Sequence, residues 1–173
     1  HGEISHSVFV YDTTLRVPLI MAGPGVPALT VSHPVSLVDA APTVLRLLGI
    51  TPFDSDGIDL APALTGAALP ARDLYAESFA PLLDFGWAPL RTIRRGNWKY
   101  IAAPKPELYD LDRDPDETRN VVATEAAMAA ELARQADAIS PATLPAGADL
   151  SAEASAKTDP EARARLQALG YAS

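Results

Sequence analysis

The first long apolar run of the chain predicts a buried strand. Residues 17–22 read VPLIMA, and the run is closed by Gly23-Pro24-Gly25, which is a strong turn signal. Pro18 stands near the beginning of the run, where a strand tolerates a missing N–H group. We therefore expect a short strand that packs against other elements.

A helix is predicted to follow this strand. Asp39 is a suitable N-cap, Pro42 lies in the first turn, and Gly49 stands where a residue just past the helix end should be. The apolar residues of this stretch recur at helical spacing and predict one buried face: Ala41, Val44, Leu45 and Leu48. This face is expected to be core and to carry no function.

The middle of the chain carries the signal of a β-hairpin. Residues 90–94 and 98–102 are rich in β-branched and aromatic side chains, and they flank the turn dipeptide Gly96-Asn97. The order Gly-Asn is not the favoured Asn-Gly, but it still indicates a tight turn. Residues 107–111, ELYDL, are predicted to add a third antiparallel strand.

Helices and a linker are predicted around this sheet. Residues 73–76 are a further strand candidate, and an alanine-rich helix is expected over 124–139. Residues 140–157 are rich in Pro, Ala, Gly and Ser and predict a linker, followed by a helix from the N-cap Asp159 to Gly170. The predicted fold class is α+β: a small antiparallel sheet of three to four strands packed with helices, preceded by a strand and a helix typical of a larger α/β sheet.

Composition and charge narrow the classes of function. The chain has 173 residues, of which 48% are hydrophobic, so it can bury a core. A net charge of −8 argues against nucleic acid and anionic membrane surfaces, because both require clustered Lys and Arg. The chain has no cysteine, which excludes disulfides and thiolate chemistry from it, and no apolar run approaches the roughly 18 residues that span a bilayer.

The beginning of the chain holds a candidate metal site. His1, Glu3 and His6 lie within six residues, and imidazole and carboxylate groups both bind divalent cations. Their spacing is not the i, i+4 pair of the helical zinc proteases, so a surface loop stays open as the alternative. Since HGEISH has neither an initiator Met nor a signal sequence, we expect the chain to be part of a longer protein.

Two acidic clusters are compatible either with a cation or with ordinary turns. Asp54, Asp56 and Asp59 resemble half a calcium loop, but Gly57 is fourth rather than sixth, and position twelve is Thr65 rather than Glu. A turn held by Asx hydrogen bonds is therefore favoured. The second cluster has five carboxylates in eight residues, and a solvated strand exit is favoured there: Asp110, Asp112, Asp114, Asp116 and Glu117.

An aromatic and basic set surrounds the predicted hairpin. Its members are Phe85, Trp87, Arg91, Arg94, Arg95, Trp98 and Lys99. Arg and Lys beside aromatic rings would suit an anionic substrate, but alternation of side chains between the two faces of one sheet explains the same residues. No G-x-S-x-G segment signals a serine nucleophile.

The order of short segments along the chain resembles the second half of a sulfatase catalytic domain, in the alkaline-phosphatase-like superfamily. The segments that carry the resemblance are His1-Gly2-Glu3, Leu15-Arg16-Val17-Pro18-Leu19-Ile20, Gly23-Pro24-Gly25, Val38-Asp39-Ala40-Ala41-Pro42-Thr43-Val44-Leu45, Leu48-Gly49-Ile50, Asp56-Gly57, Tyr75-Ala76-Glu77-Ser78, Arg95-Gly96-Asn97-Trp98-Lys99-Tyr100-Ile101, Glu107-Leu108-Tyr109-Asp110-Leu111, Asp114-Pro115-Asp116-Glu117 with Asn120, and Leu169-Gly170-Tyr171. They cover nearly the whole chain apart from residues 140–157. The resemblance implies the end of an α/β catalytic domain over 1–66, an antiparallel-sheet subdomain with a helix over 67–139, and a linker with a terminal helix over 140–173.

The resemblance also implies a chemistry. Intact sulfatases hydrolyse sulfate esters with a formylglycine made within a Cys-x-Pro-x-Arg segment, beside one divalent cation that is usually calcium, with Mg²⁺ or Mn²⁺ as alternatives. His1 matches the second residue of the family's Asp-His-Gly-Glu metal-binding segment. The formylglycine segment and the aspartates that complete the metal site do not occur in these 173 residues. We therefore expect a C-terminal fragment of a sulfuric ester hydrolase that is inactive alone.

Two further site residues follow from the resemblance. Many relatives place a substrate-contacting Lys shortly before the Arg-Val-Pro strand; no Lys lies between His1 and Arg16, and His6 is the candidate catalytic residue there. Trp87, beside Phe85, is the candidate substrate contact. The implied substrate is a sulfate-ester small molecule or glycan, and the resemblance is compatible with export to the periplasm or secretion.

Three functional hypotheses stay open at this point. The first is the sulfatase fragment, for which truncation of the parent sheet predicts an exposed apolar face and self-association. The second is a fragment of a phosphodiesterase or phosphonate hydrolase of the same superfamily, which these motifs do not separate from a sulfatase. The third is a non-enzymatic interaction module that uses the sheet as a docking face.

Overall fold

The computed structural model of the chain describes residues 8–140. Within that range the chain forms two compact units, described separately below: a sheet unit, made of residues 8–16 and 75–140, and a middle unit, Val17–Leu74. The predicted helix at 159–170 and most of the predicted linker lie outside the described residues. Within 8–140, no helix combines the length and the apolarity that crossing a bilayer requires.

The sheet unit is built on the predicted hairpin. Its four strands, in the spatial order β1-β2-β3-β4, are β1 (Leu74–Ser78), β2 (Leu90–Arg95), β3 (Trp98–Ala102) and β4 (Glu107–Asp110), and β3 is antiparallel to both β2 and β4. Gly96 has φ 59° at the first central position of the β2–β3 turn, which is the position where a type II′ turn requires glycine. The predicted α+β fold with a small antiparallel sheet is confirmed.

One face of this sheet is covered by a helix. α4 (Ala126–Ile139) buries Leu132 and two alanines against Ile93, Tyr100 and Leu108, which are cross-strand neighbours on β2, β3 and β4. The alanine-rich sequence explains this arrangement, because small side chains let the helix lie close to the sheet. A shorter helix, α3 (Ala80–Phe85), connects β1 to β2.

The opposite face of the sheet is covered by the segment before the middle unit. Val10 and Tyr11 pack there against Leu90, Ile101 and Tyr109, and a single helical turn, α1 (Asp12–Leu15), follows them. The sheet therefore has two buried faces, one under α4 and one under residues 8–16. Sequence analysis did not predict a structural role for this segment.

The middle unit contains one regular helix and two 3₁₀ turns. The turns span Leu37–Asp39 and Ala61–Thr65, and α2 (Ala40–Leu47) ends before Gly49, whose φ of 70° is left-handed as predicted. Asp39 precedes α2 but does not cap it with its side chain; instead its carboxylate takes part in a capping box with Ser36 at the preceding 3₁₀ turn.

Two predictions for this unit are wrong within the described residues. Residues 17–22 form no strand, and Ile20 is 85% exposed, because a strand needs a paired neighbour and none of residues 8–140 supplies one. The apolar face of α2 is also not core: Val44 and Leu48 are exposed and Leu45 is only half-buried. Helical periodicity predicts which face is apolar, but not whether this part of the chain contains a surface to cover it.

Candidate functional site

Of the three site residues predicted from the sequence, only one lies within the described part of the chain. His1 and His6 lie outside it, so their roles stay predictions. Trp87 lies just after α3, where Gly86 reverses the chain with φ 69°. Its indole is stacked on Phe85 with a centroid distance of 4.4 Å and an interplanar angle of 20°.

Trp87 connects the aromatic pair to the core that residues 8–16 share with the sheet. Trp87 is half-buried and packs against the cluster containing Val10, Tyr11 and Tyr109, and Phe9 packs against the same cluster. The pair is therefore held next to the segment that follows His6 in the sequence. A half-buried stacked pair can offer a flat apolar surface to a ring or an alkyl group, and it also seals the core beneath it.

The most unusual feature of the sheet unit is a cluster of buried charges that sequence analysis missed. The ammonium Nζ of Lys99 lies 2.7 Å from Oδ1 of Asp12 and 2.7 Å from Oε1 of Glu117. Lys99 and Glu117 are each 1% exposed. Arg94, the cross-strand neighbour of Lys99, adds a longer contact of 3.4 Å to Oδ2 of Asp12.

The carboxylate of Glu117 joins two parts of the unit. Its Oε2 atom accepts a hydrogen bond of 2.6 Å from the backbone N–H of Asp12, while Oε1 meets Lys99 as an ion pair without hydrogen-bond alignment. Burial raises the pKa of Glu117, and the positive charge of Lys99 and the hydrogen bond from the N–H of Asp12 oppose that rise. The sequence prediction of a solvated position is wrong for Glu117, because the turn at Asp114 directs this carboxylate inward.

A second buried carboxylate lies nearby on β4. Oε2 of Glu107 accepts hydrogen bonds from the hydroxyl of Tyr11 at 2.9 Å and from the hydroxyl of Tyr109 at 2.7 Å. Burial, followed by the bond to Glu107, raises the pKa of Tyr109, so its hydroxyl stays a proton donor. Residues 8–16 thus contact buried carboxylates on β4 and on the turn that follows it.

The basic side chains of the predicted aromatic and basic set are neutralised within the chain. Arg91 pairs with Asp137 at 2.8 Å and Arg95 pairs with Glu131, both on α4, while Arg94 and Lys99 face Asp12 on the other side of the sheet. These pairs support the interpretation that the side chains alternate between the two faces of the sheet. Because the positive charges are already paired with carboxylates, they do not favour an anionic substrate at this hairpin.

The acidic clusters form turns, as favoured from the sequence. Asp114 accepts hydrogen bonds from the backbone N–H groups of Thr118 and Arg119, at 3.0 and 2.8 Å, and these bonds lower its pKa although burial opposes them. Asp59 accepts a bond of 2.8 Å from the N–H of Ala61. Among residues 8–140, no three His, Asp or Glu side chains converge as a metal site would require.

Asp39 organises the middle unit. Its buried carboxylate accepts the N–H groups of Ser36 and Ile58, at 2.8 and 2.9 Å, and pairs with Arg72. The hydroxyl of Thr43 bonds the carbonyl of Asp39 and the N–H of Leu60. These bonds are structural, because the side chains of Asp39 and Thr43 bind only backbone groups of the middle unit and Arg72.

Comparison with known proteins identifies the family. Residues 4–138 match the family model described as N-sulphoglucosamine sulphohydrolase, C-terminal. The chain belongs to the sulfatase family. This sulfatase chain is 37% identical over 141 residues to arylsulfatase K of Mus musculus, and the match covers 70% of the chain but 25% of that relative. It thus spans about a quarter of the length of the relative that it matches.

Solved structures share the fold of this sulfatase chain. A crystal structure from Bacteroides thetaiotaomicron, assigned as a sulfatase, is 26% identical with a TM-score of 0.58, covering 91% of this chain and 36% of that one. The phosphonate monoester hydrolase of Silicibacter pomeroyi is 27% identical with a TM-score of 0.58, covering 78% of this chain and 30% of that one. In both comparisons the match covers only part of the solved structure.

Proposed function

We propose that the chain is the C-terminal part of a sulfuric ester hydrolase and that it does not turn over substrate alone. The observation that carries this proposal is the family match over residues 4–138, in a chain that spans a quarter of a named sulfatase. A Cys-x-Pro-x-Arg segment and the acidic metal ligands would then belong to the rest of the enzyme, since neither occurs in the 173 residues.

The exposed surface of the middle unit supports this proposal. Within the described residues, large exposed hydrophobic side chains are concentrated between Val17 and Phe53, and only Leu15, Leu83 and Ile139 lie elsewhere. An apolar cavity of about 350 Å³, lined by Leu19, Met21 and Leu60 among others, opens in the same unit. A surface this apolar is usually covered in the native protein, and the remainder of the catalytic domain is the occupant that we propose.

Self-association of the isolated chain follows from the same surface. We expect sedimentation velocity of the 173-residue chain to show concentration-dependent dimers or larger species. A non-enzymatic interaction module would instead be a stable monomer with its apolar surface buried. A chain that stays monomeric at all concentrations would therefore contradict the proposal that the remainder of the catalytic domain covers the apolar surface of the middle unit.

His1 is the proposed metal ligand of this chain. A neutral imidazole is a good donor to a divalent cation, and calcium is the proposed ion, with Mg²⁺ or Mn²⁺ as alternatives. When bound, such a cation stabilises the negative charge that develops on the sulfuryl oxygens. His6 is the proposed catalytic residue, which donates a proton to the leaving oxygen or holds the sulfate group as an imidazolium.

Trp87 is the proposed substrate contact. Its ring is stacked on Phe85 and supported by the core under residues 8–16, so its orientation is fixed before a substrate arrives. An aromatic surface of this kind suits the apolar face of a sugar ring or an aryl group. The proposed substrate is accordingly a sulfate ester of a small molecule or a glycan.

The experiment uses the full-length protein that contains this chain. We expect it to release sulfate from an aryl sulfate ester, and we expect His1→Ala to weaken divalent-cation binding by about 100-fold and to reduce the rate, because a ligand is lost. Calorimetric titration of the metal-free protein measures the binding independently of activity. Unchanged metal affinity in His1→Ala would rule out the assignment of His1, while absence of sulfate release by the wild type would rule out the function.

A further inference from the structure

Residues 8–16 are held to the sheet by three buried or partly buried side-chain hydrogen bonds. Tyr11 donates its hydroxyl to Glu107, the N–H of Asp12 donates to Glu117, and the carboxylate of Asp12 accepts from Lys99. Lys99 and Glu117 are themselves paired. Every partner lies on β3, on β4 or on the turn after β4, far from Asp12 in sequence.

We propose that Tyr11, Asp12, Lys99, Glu107 and Glu117 form a positioning site, here called the anchor, that fixes residues 8–16 so that the preceding residues, His6 among them, are placed for catalysis. The inference rests on the proposed function, and it adds a role for residues of the C-terminal sheet. None of the five would touch the reacting atoms. They would act through the chain that leads to His6.

Burying the charged groups of the anchor is costly. Moving a carboxylate and an ammonium out of water costs several kcal/mol per ion, and well-packed apolar side chains often stabilise a core as well as a buried ion pair does. The face of the sheet under residues 8–16 already offers Leu90 and Ile101 for apolar packing. Charged and hydrogen-bonded partners add specificity of geometry, because their hydrogen bonds form in only one position of residues 8–16 on the sheet.

The backbone at Glu117 supports the same argument. Its φ of 53° lies in the left-handed region, and it is the only non-glycine residue among those described that has a positive φ. Glycine or asparagine adopts this conformation at lower cost, whereas a longer side chain is strained there by about 1 kcal/mol or more. Glu117 alone supplies a carboxylate that reaches both Lys99 and the N–H of Asp12.

The anchor also constrains the orientation of the backbone at Tyr11 and Asp12. The hydrogen bond from the N–H of Asp12 fixes the backbone at the start of α1, and the bond from the hydroxyl of Tyr11 fixes the preceding residue. Two adjacent residues held by three separate acidic or basic partners cannot rotate about the chain axis. We expect a displacement of residues 8–16 to move the residues before them as well, and misplacement of a catalytic group by about 1 Å can cost two orders of magnitude in rate.

A matched pair of variants tests the proposal in the full-length enzyme. Tyr11→Phe and Tyr109→Phe each remove one buried hydroxyl from the same Oε2 atom of Glu107, but only Tyr11 belongs to the anchored segment. Asp12→Asn removes the charge that faces Lys99 without changing the side-chain size. Measurements are kcat and KM with an aryl sulfate, melting temperature, and hydrogen exchange of the amides of residues 8–16.

We expect Tyr11→Phe and Asp12→Asn to raise exchange in residues 8–16 and to lower kcat roughly tenfold, with KM within about twofold of the wild type. Tyr109→Phe should lower the melting temperature as much as Tyr11→Phe does, yet leave kcat within about twofold. Equal effects of the two tyrosine variants on kcat, or normal kcat in Asp12→Asn despite faster exchange, would overturn the proposal. A wild type that releases no sulfate would refute the proposed function instead, and unaltered exchange in Asp12→Asn would still refute the anchor.

Discussion

Replacing Lys99 by Met is expected to lower the free energy of unfolding by about 3–5 kcal/mol. The ammonium is the shared partner of Asp12 and Glu117, and with 1% exposure it is closed off from water. Its removal leaves the buried carboxylate of Glu117 beside that of Asp12, whose remaining cation is Arg94 at 3.4 Å. Burial already raises the pKa of Glu117, and without Lys99 nothing on β3 would oppose that rise.

The control for this prediction is the same substitution at an exposed lysine. Lys105→Met removes one positive charge on the loop between β3 and β4 and should change the free energy of unfolding by less than about 0.5 kcal/mol. Adding Glu117→Gln to Lys99→Met removes one uncompensated charge but keeps an acceptor for the N–H of Asp12, so part of the loss should return. Urea unfolding measures all three variants. A loss in Lys99→Met as small as that in Lys105→Met would show that the cluster is hydrated and energetically unimportant.

Replacing Gly57 by Ala is expected to cost about 3 kcal/mol and to disrupt the middle unit specifically. A Cβ atom at position 57 would lie 2.1 Å from the carbonyl oxygen of Val38, so the backbone on one side must move. The neighbouring N–H of Ile58 donates to the buried carboxylate of Asp39, and that bond would be stretched by the same movement. The loss of one contact would therefore spread to the Asp39 network.

Hydrogen exchange distinguishes this effect from a general loss of stability. The amides of Ile58 and Leu60, which donate to Asp39 and Thr43, should exchange faster in Gly57→Ala, while those of β3 should not. Gly23→Ala is the matched control, since a Cβ atom there meets nothing within 4 Å. Similar exchange and stability in the two alanine variants would contradict the close approach at Gly57.

The elements that could be predicted from the sequence are those fixed by local chemistry. The hairpin follows from β-branched residues around Gly96, and the end of α2 follows from Gly49, whose left-handed backbone needs no distant partner. The predicted strand at 17–22 needed a neighbouring strand, and residues 8–140 do not provide one. The local pattern therefore predicted turns, helix ends and the pairing of β2, β3 and β4, but it did not reveal whether residues 17–22 have a strand to pair with.

The anchor could not be predicted for a related reason. Asp12, Lys99 and Glu117 are far apart in the sequence, and charged residues are rarely buried unless paired, so each one alone indicates a solvated position. One signal was available: Lys99 lies two residues before Ile101 on the same face of a strand, where a buried face is expected. Its partners, however, become evident only when the turn after β4 and residues 8–16 are placed together.

The measurement that tests the central claim most directly is the ratio of kcat/KM for an aryl sulfate to kcat/KM for an aryl phosphonate monoester, with the full-length protein. Family membership does not separate the two reactions, because a phosphonate monoester hydrolase shares the fold at 27% identity. We expect a ratio well above one, with activity lost when the divalent cation is chelated. Faster turnover of the phosphonate, or hydrolysis of neither ester, would contradict the assignment of this chain to a sulfuric ester hydrolase.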